Sequence, residues 1–428
     1  MRRLRMTSLV IAVGASVLLA CGIVGGDETA TDAGDTGAAG GSTRSASTEG
    51  PLRIGYLADF SGPLAEFGPA RQRGITLAIE HLNDAGGVLG RPVELVVADS
   101  MSDIPTAVAA ARKLVEEDGV HAVIGPFASA AAIAVAEQVT GPAGIPTLAP
   151  SATSPLLGTA NDNDFLFRTT LSDVVQGQEL ARLVRESGAT RAAVLYLPDA
   201  YGQGLLDAFA SAFGVQNVVA RPVAEQALSY LDELEALAED ANVLVAITYP
   251  TQAQVFMREA LEGDLFDRYY LADALRSTDL GRLFGEALDG VTGTSPGTPE
   301  DSESRRAWDA AYIAEYDVLP TIAYVRSAYD ATIAVALAAA AAGSTDGVAI
   351  RDALRGVGAP PGAPFIAGPE GIRGALEAIA DGEDVDYEGA ANALNWDANG
   401  DVMDGHLHIW EYRGGVVADI EVIPVTVR

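Results

Sequence analysis

The chain has 428 residues, of which 59 are Asp or Glu and only 27 are Lys or Arg, so its formal net charge is −32 at neutral pH. This excess of acid argues against a nucleic-acid-binding protein, which needs clustered basic side chains to neutralise phosphates. The single lysine, Lys113, follows Arg112, so the glycine-lysine pair of a phosphate-binding P-loop is absent.

The N-terminal segment has the pattern of an export signal. Arg2, Arg3 and Arg5 precede an apolar run at 9–20, which is too short for a comfortable membrane span. Cys21, the only cysteine, follows this run at the point where cleavage is expected, as in bacterial lipoproteins. We therefore predict a lipoprotein signal peptide at 1–20 and an exported chain anchored to a membrane through lipid on Cys21, facing the periplasm or exterior. The alternative is a plain signal peptide with a spare cysteine.

Residues 21–50 are rich in Gly, Ala, Thr, Ser, Asp and Glu and contain almost no large apolar side chain. Such a segment buries too little surface to offset its ordering entropy. We predict a disordered acidic tether here, with a folded body beginning at residue 51.

In the body, short apolar strands alternate with amphipathic helices, which predicts parallel sheets built from right-handed βαβ units. The first series is predicted to have strands at 52–57, 93–98 and 121–124 and helices at 70–85, 106–117 and 130–139. The second is predicted to have strands at 192–197, 218–220, 243–248 and 269–271 and helices at 174–186, 204–213, 229–238 and 252–262. Two similar α/β halves follow from this alternation.

The rest of the chain has a different pattern, with long helices at 302–316 and 324–342 and a β-rich end at 407–412 and 416–423. Such a shared tail predicts several crossings between two lobes. We place one lobe at 51–171 plus 296–390 and the other at 172–295 plus 391–428. In open α/β sheets ligands bind at the carboxyl ends of the strands, so two facing lobes would form a cleft.

Motifs for catalysis are scarce. The body has no Gly-x-Ser-x-Gly sequence, and the sequence YGQG at 201–204 lacks the third glycine of a dinucleotide-binding loop. His406 and His408 share a strand face without a third ligand nearby, so we predict no metal site. We expect neither an enzyme nor a cofactor.

Two hydroxyl-bearing loops favour a binding protein. Ser129, in GPFAS at 125–129, follows a strand and opens a helix, where hydroxyl and backbone N–H groups can hold a carboxylate. The loop PSATSP at 150–155 follows the next strand at the same edge of the sheet. The alternatives are a simple helix cap at Ser129 and an ordinary turn at 150–155.

Five segments in order resemble one family. They are SGPLAEFG at 61–68, GGVLGRPVEL at 86–95, SATSP at 151–155, DAYGQG at 199–204 and LNWDANGD at 394–401. Together, over about 51–428, they resemble the branched-chain amino acid binding proteins of ABC importers. The resemblance implies a type I periplasmic binding fold, a Venus flytrap of two lobes joined by three hinge crossings.

The resemblance also implies ligand-binding roles. Hydroxyl and backbone groups would bind the ligand α-carboxylate, a carbonyl would meet the α-ammonium, and aromatic rings from both lobes would cover the ligand. The implied residues are Phe67, Ser129, Ser151, Ala152, Thr153, Tyr201, Tyr249 and Asp273, with Thr248 as the alternative to its neighbour Tyr249. Strict register puts Ala274 at the position of the family's acid for the ammonium, with Asp273 one residue before it. Either a one-residue shift lets Asp273 serve, or the ligand has no free ammonium.

The expected function is capture of an amino acid, aliphatic by resemblance, and its delivery to an ABC permease, by a protein that we expect to be a monomer. The alternative is a ligand-sensing receptor or co-receptor of the same fold that binds an amide or small carboxylate, since one fold can serve both roles.

Overall fold

The computed structural model describes residues 50–224 and 226–427. The predicted signal peptide, Cys21 and nearly all of the predicted tether lie outside these residues. Among the described residues, no helix combines the length and apolar character needed to cross a membrane.

The first sheet is parallel and five-stranded, in the order β2-β1-β3-β4-β5. Its strands are β1 (Leu52–Ala58), β2 (Val93–Asp99), β3 (Ala122–Ile124), β4 (Thr147–Ala149) and β5 (Leu166–Arg168). The helices between them are α1 (Gly68–Asp84), α2 (Ile104–Glu116), α3 (Ser129–Val135) and α4 (Gly141–Ala143), with a π-helical turn between α3 and α4. The predicted βαβ series is confirmed here.

The second sheet has seven strands in the order β14-β13-β10-β9-β8-β6-β7. Its parallel part contains β6 (Ala192–Tyr196), β7 (Val218–Pro222), β8 (Val243–Ile247), β9 (Arg268–Leu271) and β10 (Thr292–Gly297). Antiparallel strands β13 (Asp404–Arg413) and β14 (Val416–Thr426) complete it. The helices are α5 (Asp173–Glu186), α6 (Ala200–Phe213), α7 (Leu231–Ala238), α8 (Pro250–Glu262) and α9 (Thr278–Phe284).

The two sheets share one winding order. If the five parallel strands of each are numbered along the chain, both read 2-1-3-4-5. This order reverses direction between its first and third strands, and such switch points leave a crevice at the carboxyl edge of a sheet. The two predicted α/β halves are therefore confirmed.

The remaining helices pack on one side of the first sheet, and Val325–Ala341 among them lies directly against its strands. They are α10 (Glu303–Tyr316), α11 (Val325–Ala341), α12 (Gly347–Val357) and α13 (Pro369–Ala380), accompanied by the small sheet of β11 (Ala363–Ile366) and β12 (Val385–Glu388). Helix α11 is almost wholly buried against α1 and the first sheet, because its alanine-rich sequence lets neighbouring backbones approach closely. Its Asp330 is fully buried and accepts hydrogen bonds from the Tyr387 hydroxyl (2.8 Å) and from the backbone N–H groups of Ala390 (2.8 Å) and Ala391 (2.7 Å).

The chain passes between the sheets three times: after β5, after β10, and before β13. The last passage lies further along the chain than residue 390. Leu394, Trp396 and Val402 pack in the core of the first sheet, and the Trp396 indole donates a hydrogen bond to the Arg168 carbonyl (2.7 Å). Since β13 joins the second sheet only from Asp404, we propose that the second lobe resumes there.

Candidate functional site

One small cavity lies where the carboxyl edges of the two sheets face each other. Its volume is about 20 Å³, room for roughly one water molecule. From the side of the first sheet it is lined by Leu64, Phe67, Arg71, Phe127, Ser129 and Ser151; from the second by Tyr201, Tyr249, Asp273 and Ala274; and from the segment before α11 by Ala323 and Tyr324. Six of the eight predicted ligand-binding residues therefore meet in one place.

The hydroxyl-bearing loops lie at this cavity because β3 and β4 are adjacent and parallel. Ser129 begins α3, and its Oγ accepts a hydrogen bond from the Ser154 backbone N–H (3.3 Å). Ser151 Oγ donates to the Phe127 carbonyl (3.3 Å). The hydroxyl proton of Ser129 has no acceptor among the described residues, so it can be donated to a solute.

The other two predicted residues of this loop lie behind the cavity wall. Ala152 packs in a small apolar cluster, and Thr153 Oγ1 donates to Asp173 Oδ2 (2.8 Å). The Arg168 guanidinium donates to the Thr153 carbonyl (2.9 Å) and forms an ion pair with Asp401 (2.6 Å). Thr153 therefore holds the loop in place, and direct contact of its hydroxyl with a solute would require a change of partner.

Asp273 lines the cavity together with Ala274, so the one-residue shift needed for Asp273 to serve is sterically possible. Its Oδ1 accepts hydrogen bonds from the Tyr201 hydroxyl (2.8 Å) and the Gln176 amide (3.1 Å), and its Oδ2 accepts one from the Tyr324 hydroxyl (2.6 Å). Burial, and secondarily the negative charge of Asp273, raises the pKa values of the Tyr201 and Tyr324 phenols well above the usual value for tyrosine. Both tyrosines thus remain neutral donors to Asp273.

Aromatic rings close the cavity from both sides. Tyr201 and Tyr249 stack with centroids 5.6 Å apart and planes 7° from parallel, and both are buried. Tyr201 reaches this position because Asp199 caps α6 by accepting from the Gly202 N–H (2.9 Å). The helix consequently begins at Ala200, earlier than the predicted Gly204. Phe67 and Phe127 form the opposing apolar wall.

Arg71 is a cavity residue that the sequence analysis missed. It is 4% exposed, and its Cζ lies 4.3 Å from the Phe127 ring centroid and 4.9 Å from that of Phe67. Nε and Nη1 are buried without a hydrogen-bond partner among the described residues. The available signal was its position one helical turn before Ile75, which puts an arginine on the apolar face of α1.

A hydrogen-bonded latch joins the two sides beside the cavity. Glu66, in the loop before α1, accepts from the Thr278 N–H (2.7 Å), the Thr278 hydroxyl (2.8 Å) and the Asp279 N–H (3.1 Å) at the start of α9. The Ser277 hydroxyl donates to its other oxygen. An acidic side chain is well placed at a helix N-terminus, where backbone N–H groups are otherwise unsatisfied.

No group of three or more His, Cys, Asp or Glu side chains suited to a metal ion occurs within 50–224 and 226–427. His408, instead, bonds to the Thr298 backbone (2.8 Å) and to Asp419 (3.2 Å), which holds β13 to the end of β10.

The chain is similar to known solute-binding proteins over most of its length. Residues 51–377 match the family described as periplasmic binding protein. The chemotactic signal transduction system substrate-binding protein BasB of Halobacterium salinarum is 28% identical over 368 residues, covering 83% of this chain and 86% of that protein. The leucine-, isoleucine-, valine-, threonine- and alanine-binding protein of Pseudomonas aeruginosa is 27% identical, covering 71% and 82%.

Structural comparison agrees on the fold. The crystal structure of the leucine binding protein LivK from Thermotoga maritima superposes with a TM-score of 0.74, at 23% sequence identity, over 87% of this chain and 98% of that one. The match to the family covers well over half of the chain and includes the loops that carry the cavity. The chain therefore belongs to the periplasmic binding protein family.

Proposed function

We propose that this protein is an extracytoplasmic solute-binding protein that captures an amino acid and delivers it to the permease of an ABC importer, without making or breaking bonds. The observation that carries the proposal is the convergence of Phe67, Ser129, Ser151, Tyr201, Tyr249 and Asp273, from both sheets, on one cavity. The names of relatives that bind leucine, isoleucine and valine support an aliphatic amino acid as the solute.

The proposed binding mode uses groups that remain available in the cavity. The Ser129 hydroxyl would donate to the solute carboxylate, and the Ser151 carbonyl would accept from the ammonium. Asp273 would attract the ammonium, but Gln176, Tyr201 and Tyr324 already donate to it. A solute must therefore add to these bonds or displace one of them. Closure around the solute excludes water, which makes each charged contact stronger.

We also propose that Cys21 carries a lipid and that residues 22–50 tether the folded body to a membrane. The support is the sequence pattern around Cys21 alone. Replacement of Cys21 by Ser should release the protein from the membrane fraction in its producing cell and remove the diacylglycerol mass from the N-terminal peptide. Retention of the variant in the membrane would contradict the anchor.

A second function is favoured by one observation. The relative from Halobacterium salinarum is named as a substrate-binding protein of a chemotactic signal transduction system. A protein of this fold could present its solute to a separate membrane sensor instead of a permease. The two functions differ in the partner, since solute capture itself is common to both.

The test is a thermal-shift screen of the purified protein, freed of co-purified solute by unfolding and refolding. The panel contains the common amino acids, their amides and small carboxylates. A solute at a hundred times its Kd should stabilise the fold by about 2.7 kcal/mol and raise the midpoint by a few degrees. A rise with leucine, isoleucine or valine is expected. No rise with any amino acid would contradict the proposed function.

A further inference from the structure

Arg71 is a buried cation, and some of its N–H groups have no hydrogen-bond acceptor among the described residues. It projects from the first turn of α1 into the cavity wall, and its Nε and Nη1 lack hydrogen-bond partners among the described residues. A buried guanidinium is costly when its donors are unpaired, so such a group requires a partner. The rings of Phe67, Phe127 and Tyr324, whose centroids lie 4.3–5.5 Å from its Cζ, attract the positive charge but accept no conventional hydrogen bond.

Neither acid near Arg71 forms a direct ion pair with it. Asp59 is fully buried; its Oδ1 accepts from the Ser100 and Ser102 hydroxyls at 2.5 and 3.0 Å, and its Oδ2 has no hydrogen-bond partner among the described residues. No ion pair joins Asp59 to Arg71 within 4.0 Å in the described part of the chain. Asp273, the other acid at the cavity, already receives three donors. Neither carboxylate neutralises Arg71 by direct contact.

We propose that Arg71 binds a carboxylate of the captured solute through charge-assisted hydrogen bonds, and that the protein selects solutes bearing this group. Such bonds are shorter and stronger than neutral ones, and arginine keeps its charge even when buried. The inference rests on the proposed function, since it takes the cavity as the solute site. It adds Arg71 to the residues implied by resemblance and explains why the apolar face of α1 begins with a cation.

Two carboxylates could satisfy Arg71. One is the α-carboxylate of any amino acid, which would then share its contacts between Arg71 and Ser129. The other is a second carboxylate on the solute side chain, as in an acidic amino acid, placed among Phe67, Phe127 and Tyr324. Both sources use the same chemistry at Arg71, and isosteric solutes separate them.

The experiment measures Kd by calorimetry for leucine, leucinamide, glutamate, glutamine and benzoate with the wild-type protein and with Arg71→Gln and Arg71→Lys. Because Arg71→Gln removes a buried charge partner, it should raise the Kd of the carboxylate-bearing solute by about thirtyfold or more. Arg71→Lys should recover part of this loss because it keeps the charge. If Arg71→Gln lowers the affinities for leucine and glutamate equally, the α-carboxylate is the group that Arg71 binds. If the affinity for glutamate alone falls and that for glutamine does not, Arg71 binds the side-chain carboxylate.

Some outcomes would overturn the inference. If leucine binds Arg71→Gln as tightly as wild type, and glutamate does too, Arg71 contacts no carboxylate, while the proposed amino acid capture still stands. If benzoate alone binds and requires Arg71, the inference stands and amino acid capture fails. If no solute in the panel binds the wild-type protein, both fail.

A folding control removes the remaining ambiguity. Arg326→Gln is a matched variant, since Arg326 is a largely buried arginine over the Trp308 ring (4.5 Å) that lies outside the cavity lining. It should leave the solute preference unchanged. Should Arg71→Gln fail to fold, the wild-type comparison decides: equal affinity for leucine and leucinamide and for glutamate and glutamine would refute a carboxylate contact.

Discussion

Asp330 is a carboxylate that the fold buries among three hydrogen-bond donors, and no basic side chain of the described residues forms a salt bridge with it. Burial raises its pKa to about 7, against an unperturbed value near 4, even though the Tyr387 hydroxyl and two backbone N–H groups favour the ionised form. The folded protein therefore retains a proton that the unfolded chain has already released. This difference makes the stability of the protein depend on pH.

We predict that the free energy of unfolding falls as pH rises from about 4 to about 7, by a few kcal/mol from Asp330 alone. The contribution is complete below the unfolded pKa and is lost as pH passes the folded value. Asp330→Asn should flatten this part of the profile, measured by urea unfolding at a series of pH values. The exposed Glu383→Gln variant is the control. An unchanged slope in Asp330→Asn would show that the group titrates normally.

Single residues also show what the sequence could predict. Phe67, Ser129, Ser151, Tyr201, Tyr249 and Asp273 each follow a strand, so their meeting at one edge follows from parallel topology and the family resemblance. Arg71 was missed because an arginine near a helix start is usually solvated, and only its neighbours in space bury it. The hydrogen bond from the Thr153 hydroxyl to Asp173 was likewise not predictable, because it forms across the passage from β5 to α5.

At the level of elements, the start of α9 is held by a side chain from the other sheet. Glu66 supplies both carboxylate oxygens to Ser277, Thr278 and Asp279. Hydrogen bonds to a charged acceptor each contribute about 1.5–3 kcal/mol. These bonds form only when the two edges are together, so they favour the closed arrangement seen here.

We predict that Glu66→Gln weakens solute binding by about tenfold, because the neutral amide accepts fewer and weaker bonds from α9. The melting midpoint of the solute-free protein should change little. Calorimetric Kd values measure the effect. Asp103→Asn is a matched control, since Asp103 caps α2 by accepting from the Thr106 N–H (3.0 Å) within its own lobe. Equal losses in the two variants would argue against a latch.

The helices and strands were predictable where strands and helices alternate regularly. They were not predictable in the segment that returns to the first sheet after β10. Helices α12 and α13 and the small β11–β12 sheet lie in or near a stretch rich in Pro and Gly, whose local signals are turns. The position of the final passage between the sheets could not be predicted either. It is set by Trp396, which makes an edge-to-face contact with Phe167 (5.6 Å), and no local sequence pattern reveals that contact.

For the whole molecule, a cavity of about 20 Å³ is too small for any amino acid. This cavity must therefore open wider before an amino acid fits there, although a cavity of about 690 Å³ shares Ala323 and Tyr324 with it. The three passages between the sheets are where such motion would be absorbed. We predict that the solute-free protein in solution has a larger radius of gyration than the solute-bound form, measured by small-angle X-ray scattering. Identical profiles at saturating solute would contradict this opening.

The order of strands and helices along the chain has a consequence for biosynthesis. Strands β1–β5 are complete by Arg168, yet α11, which packs against one face of their sheet, begins only at Val325. A ribosome must therefore make the second sheet's parallel strands before the first sheet can bury Ile54, Tyr56 and Ile124 against α11. Contacts so distant in sequence form late, and the uncovered face is exposed to aggregation meanwhile. The face that α11 covers therefore stays incompletely buried until the chain has been made as far as Ala341.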